Sequence, residues 1–266
     1  MKRLFPVWLL TGLLAPIVTM AQSDFDGTWK IDLNKAVMPN DPDVFILQNG
    51  DYQCKTCVPI VSVKADGEDH AVTGNPYYDA ISIKVLDDRS IERSEKRNRK
   101  IVKTSKMTVS ADASTATLEF TDSSVTNAEP VIGKASLTRV VKSKRPPGSH
   151  AISGSWRTSK MESLSDNALV FTLKVEGDTL NMTSLTGQSY TAKLDGTEAP
   201  YKGDPVINAV SILRLGKDAF IETDKRDGKA IRLKRVMVVP DNDKTINMIV
   251  TDNVRKTTVI FAADKQ

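Results

Sequence analysis

Gly27-Thr28-Trp29-Lys30 follows a hydrophobic leader, and Gly154-Ser155-Trp156-Arg157 repeats it 127 residues later. Self-similarity over a long interval marks a duplicated structural unit. At the same offset Gly50-Asp51 meets Gly177-Asp178. Two residues are then inserted, and at offset 129 Lys64-Ala65-Asp66-Gly67 meets Lys193-Leu194-Asp195-Gly196. Gly74-Asn75-Pro76 likewise meets Gly203-Asp204-Pro205, and Ala80-Ile81-Ser82-Ile83 meets Ala209-Val210-Ser211-Ile212. One further insertion aligns Ile91-Glu92 with Ile221-Glu222, Met107 with Met237, and Thr121-Asp122 with Thr251-Asp252. The order is kept and the gaps are few, which is the signature of tandem duplication. The units run over 24–143 and 152–266, joined by a basic linker at 144–151 that Pro146-Pro147 stiffens.

Each unit reads as β almost throughout. Short runs rich in Ile, Val, Leu, Thr and Phe cover 80–86, 115–121, 168–175 and 208–215, with turn signals between them such as Asp87-Asp88, Ala111-Asp112 and Asp227-Gly228. Ala116, Leu118 and Phe120 share one face, as do their counterparts Ile246, Met248 and Val250, while Thr115, Thr117, Glu119 and Thr245 are polar. That alternation puts one face in a core and the other in water. About eight strands per unit are expected, which suits an all-β fold of two antiparallel meander barrels; a pair of β-sandwiches is the alternative. Helix is confined to one expected turn near 163–168.

Lys2 and Arg3, the apolar run 5–18 and the small residues before position 22 make residues 1–21 a secretory signal peptide. Pro6 and Pro16 break the run, and it is short for a membrane span. The expected localisation is exported, periplasmic or extracellular, with no membrane span once the leader is cleaved. Removing Lys2 and Arg3 leaves 35 basic residues against 33 acidic ones, a balance that gives no footing for nucleic acid.

The Gly-x-Trp opening of an antiparallel meander resembles lipocalin-like exported β-barrel proteins. That resemblance implies that Trp29 and Trp156 close the barrel floors, each ring covered by a basic residue from a last strand, with Arg139 and Arg255 as candidates. Thr121-Asp122 and Thr251-Asp252 are similar to a second motif of that superfamily but fall a strand late, without the following aromatic.

Few residues offer chemistry. Cys54 and Cys57, close in sequence in an exported chain, are expected to form a local structural disulfide; the second unit has Asn181 and Ser184 there. The only histidines, His70 and His150, lack the spacing of a zinc site, and no nucleophile elbow is present. The acidic, glycine-bearing stretch 66–76 lacks a closing bidentate acid and reads as a turn rather than a calcium loop. The basic run Arg93–Lys100 reads as a solvated hairpin tip. No catalytic residue, cofactor or metal is assigned, and the chain is read as non-catalytic. It is expected to bind a small apolar ligand inside its barrels, with Phe171, Leu173, Ile246 and Met248 as candidate lining residues. The alternative is a cell-envelope interaction module with filled barrels and an envelope protein as partner.

Overall fold

The computed structural model describes residues 23–125, 128–140, 145–239 and 242–266; the leader at 1–21 and the start of the linker lie outside them. In chain order the strands are Gly27–Val37 (β1), Asp43–Gln48 (β2), Asp51–Cys54 (β3), Val61–Lys64 (β4), His70–Ala71 (β5), Ala80–Asp87 (β6), Ser90–Arg97 (β7), Lys100–Val109 (β8), Thr115–Asp122 (β9) and Val131–Arg139 (β10). The second series is Gly154–Leu164 (β11), Val170–Glu176 (β12), Thr179–Ser184 (β13), Ser189–Lys193 (β14), Asp195–Pro200 (β15), Ala209–Leu215 (β16), Ala219–Arg226 (β17), Lys229–Val239 (β18), Asn242–Asp252 (β19) and Thr257–Lys265 (β20). A single helical turn, Asp166–Leu169 (α1), interrupts the second series. No helix among the described residues is long and apolar enough to cross a membrane.

These strands make two nearly closed antiparallel sheets of ten strands each, against the eight expected. The extra pairings come from segments read as turns: β5 holds only two residues, and β15 lies in the glycine-bearing stretch after Asp195. The first sheet runs β4-β3-β2-β11-β10-β9-β8-β7-β6-β5, and the second runs β14-β13-β12-β1-β20-β19-β18-β17-β16-β15.

The first strand of each unit has changed places. β1 pairs with β12, Trp29 opposite Phe171, and with β20, Trp29 opposite Lys265. β11 pairs with β10, Trp156 opposite Arg139, and with β2, Trp156 opposite Asp43. Each sequence unit therefore supplies all but the first strand of one barrel and lends that strand to the other. The duplication makes this feasible, because two strands with the same Gly-x-Trp pattern present the same inward face.

Two cores result. Tyr52, Ile81, Ile83, Met107, Leu137 and Trp156 are buried in the first barrel. Trp29, Leu180, Ile212, Phe220, Val236 and Ile246 are buried in the second. Inward residues recur at every second position, as in Phe220, Glu222 and Asp224 of β17. The hairpin registers refine the repeat alignment. Ile83 faces Arg93 and Ile212 faces Glu222, so Arg93 and Glu222 are equivalent at offset 129. The offset of 130 expected from Ile91-Glu92 begins only at β9 and β19, where Leu118 faces Met107 and Met248 faces Val236. A slip of one residue exchanges the faces of a strand, so this correction moves acidic and basic side chains from the surface to the interior.

Candidate functional site

The floors explain the repeated motif. The indole N–H of Trp29 donates to the Phe25 carbonyl at 2.9 Å, and that of Trp156 donates to the Ile152 carbonyl at 2.7 Å. The Arg139 guanidinium lies 4.0 Å from the Trp156 ring centre, and its N–H groups donate to the carbonyls of Ala113, Ser153 and Ala151 at 2.6–2.7 Å. Lys265 takes the corresponding place, 5.2 Å from the Trp29 ring. Arg255 does not: it sits in the turn between β19 and β20 and donates to Asp43 Oδ1 at 2.6 Å. The registers account for the difference. Leu137 faces Ala116 and Ala263 faces Ile246, so β10 and β20 match at Arg139 and Lys265. Glycine precedes each tryptophan because the cation crosses its backbone. Gly27 and Gly154 have φ of 146° and 131°; a Cβ on Gly27 would lie 2.7 Å from Lys265 Cε, and one on Gly154 would collide with Arg139 Nη1.

Above each floor lies a cavity. In the second barrel it measures about 420 Å3 and is apolar at depth, where Leu173, Met182, Phe220, Val236 and Met248 line it. Phe171, Leu173 and Met248 of the expected lining residues face this space, whereas Ile246 is fully buried within the core. In the first barrel the cavity measures about 450 Å3, with Tyr52, Ile91, Met107, Leu118 and Leu137 in its wall.

One or two layers towards the mouth, the inner face of each barrel turns ionic. Glu222 Oε1 accepts from Lys234 Nζ at 2.5 Å and Oε2 accepts from the Tyr190 hydroxyl at 2.9 Å. Asp224, fully buried, accepts from Arg232 Nε at 2.5 Å. Burial raises the Glu222 pKa to about 7, against the attraction of Lys234 and with the help of the neighbouring Asp224 carboxylate. Burial also opposes ionisation of Asp224, but Lys234 and Arg232 together hold its pKa below the ordinary value. In the first barrel Arg93 pairs with Glu95 at 2.5 Å and donates to the Tyr78 hydroxyl at 3.3 Å, while Lys103 meets Asp122 at 2.7 Å. Among the described residues, two buried side-chain atoms, Arg93 Nε and Asp224 Oδ1, have no hydrogen-bond partner.

This ionic layer is not among the features expected from the sequence. In the sequence Arg93 reads as part of a solvated tip, whereas only Asn98 and Arg99, at φ of 52° and 65°, form the turn itself. The available signal was period two: Arg93 and Glu95 share one face of β7 with the buried Ile91.

The other candidates sit elsewhere. Cys54 and Cys57 are joined in a disulfide at the wall of the first cavity. His70 Nε2 lies 2.8 Å from Asp66 Oδ1, and His150 Nε2 lies 2.6 Å from the Asp87 carbonyl oxygen. The stretch 66–76 is held as turns. Asp66 Oδ1 accepts the Glu68 N–H, and Asn75 Oδ1 accepts those of Tyr77 and Tyr78. Asp204 does the same for Val206 and Ile207 in the second unit. Among the described residues no group of three or more His, Cys, Asp or Glu is placed to hold a metal ion. Compared with family models, curated proteins and solved structures, the chain has no match in any of the three.

Proposed function

We propose that the protein is an exported, non-catalytic carrier whose lipocalin-like barrels enclose a small, largely apolar molecule, after residues 1–21 have directed it out of the cytoplasm as a signal peptide. The observation that carries this reading is the cavity of the second barrel, apolar at depth around Leu173, Phe220 and Met248 and ionic above, at Glu222 and Lys234. Burial of an apolar body gives affinity, and a few fixed polar groups orient the bound molecule. The ordered Trp29 floor, tied by one hydrogen bond and covered by Lys265, closes the far end against water.

Native mass spectrometry of the protein, purified without detergent from its own envelope fraction, tests the proposal. A reproducible added mass, released by organic extraction and reduced in a Met248→Trp variant that fills the cavity, is the expected result. The bare polypeptide mass under those conditions, together with no binding of an added apolar fluorescent probe, would overturn it. That outcome would favour the envelope-interaction alternative.

A further inference from the structure

The two cavities open towards one another. Tyr77, Phe120 and Val125, all from the first unit, line both of them. Tyr77 stands beside Asp204 and Arg232 in the lining of the second cavity, and burial, then the Asp204 carboxylate, push its hydroxyl up to about 12. The contact is reciprocal. The turn after β9 sends Val125 into the second barrel, where its carbonyl accepts from Gln188; the turn after β19 sends Arg255 to the wall of the first, where it meets Asp43. Val125 and Arg255 are equivalent at the offset of 130, so the two ends interlock about an approximate twofold axis. The exchanged strands β1 and β11 tie both barrels into this arrangement.

Polarity is layered along the joined space. Apolar residues fill the depth of each chamber, Met107 and Leu118 in one, Phe220 and Met248 in the other. Charged residues gather towards the shared mouth: Glu95, Lys103 and Arg255 on one side, Asp204, Arg232 and Lys234 on the other. These are two acids and four cations; Asp43, Asp122, Glu222 and Arg93 beside them bring the two signs into balance. A molecule with one apolar tail fills one chamber and leaves the other empty. A molecule with a polar centre and two apolar arms matches the whole sequence of layers.

Resting on the carrier reading, we propose that the two cavities form one site that takes a single two-tailed amphiphile, one tail in each barrel and a polar, zwitterionic centre between Lys103 and Arg232. A short-chain diacyl phosphatidylethanolamine has that chemistry and is soluble enough to serve as a probe.

Titration calorimetry and native mass spectrometry of the full chain with dioctanoyl phosphatidylethanolamine, and with its single-tailed lyso form, test this. The expected result is one diacyl molecule per chain, bound at least tenfold more tightly than the lyso form, which fills up to two places. Leu118→Trp in the first chamber and Met248→Trp in the second should each weaken diacyl binding at least tenfold, with thermal melts reporting whether the variants fold. The stoichiometry of the unaltered protein needs no variant. Two diacyl molecules per chain, or equal affinity for the two probes, would overturn the single-site proposal while leaving the carrier reading in place. Failure of both probes and of an apolar fluorescent probe to bind would overturn the two together.

Discussion

Cutting the connector should leave the two halves of the chain inseparable. A site-specific protease sequence placed between Pro147 and Gly148, both exposed, would divide the protein into one fragment carrying β1 to β10 and another carrying β11 to β20. Independent barrels would drift apart. With exchanged strands, separation requires that β1 leave β12 and β20 and that β11 leave β10 and β2. Trp29 and Trp156 are both fully buried in the barrel of the other fragment. Exposing about 200 Å2 of each ring at about 25 cal/mol per Å2 costs roughly 5 kcal/mol per tryptophan, or roughly 10 kcal/mol for the pair. Ile31 and Ile152 leave apolar surroundings as well, and each unpaired strand loses a row of ladder hydrogen bonds worth about 1 kcal/mol apiece. Against an association cost of about 4–15 kcal/mol, this gives a dissociation constant in the nanomolar range or below. After complete cleavage, size-exclusion chromatography at micromolar concentration should show one species of unchanged elution volume. Denaturant followed by gel electrophoresis should reveal the two fragments. Two half-sized species eluting under native conditions, each with β-sheet circular dichroism, would refute the exchange.

Three further outcomes follow from the floors and the interior. Gly154→Ala should destabilise the protein by about 1–3 kcal/mol in a denaturant melt, since the added methyl needs a strained φ and displaces Arg139 from three carbonyls. Gly27→Ala should cost less, because its obstacle is the flexible Lys265 chain. Arg139→Ala should cost about 3 kcal/mol through lost ring coverage and unpaired carbonyls, whereas Arg255→Ala, which breaks one half-exposed ion pair, should cost about 1 kcal/mol or less. Glu222→Gln should change the pH dependence of stability. The folded-state pKa of Glu222 is raised above its unfolded value of 4.5 to about 7, so the native state binds the extra proton. That contribution is complete below pH 4.5 and is lost as pH rises through 7, on the order of 1–3 kcal/mol. Melts of the wild type should fall relative to the variant across that window; parallel curves would remove Glu222 from the account.

The all-β class, the duplication and the disulfide were legible in the sequence because each rests on local or repeated patterns. Alternation at 116–120 and 246–250 places the buried faces correctly, and Cys54 and Cys57 are near enough for proximity to decide their pairing. Strand exchange was not legible. Nothing local separates a β1 that pairs with β2 from one that pairs with β12, because both barrels present equivalent partners. Arg255 reads as a floor residue because similarity fades after Asp252, and the offset falls from 130 to 126 between β9 and β10 and their counterparts. The ionic interior was hidden by a one-residue error in the repeat alignment. In a strand, that error is enough to turn Glu222 outward.

The interior charges also bear on whether these barrels are merely filled. Desolvating Glu222, Asp224, Arg232 and Lys234 costs several kcal/mol per ion, which mutual attraction offsets only when every lone pair and proton is satisfied. Here Asp224 Oδ1 has no partner, and Arg93 Nε has none in the other barrel, at the position equivalent to Glu222. Apolar residues at these positions would continue the walls already made by Phe220, Val236 and Met248 and would favour folding more strongly. Stability alone therefore does not account for the ionic layer. It recurs in both barrels with different residues, Arg93 standing where the second barrel has Glu222 and Ser105 where it has Lys234. The equivalent positions stay polar while their charges change, which suits two chambers that orient different parts of one bound molecule better than it suits two copies of a packed core.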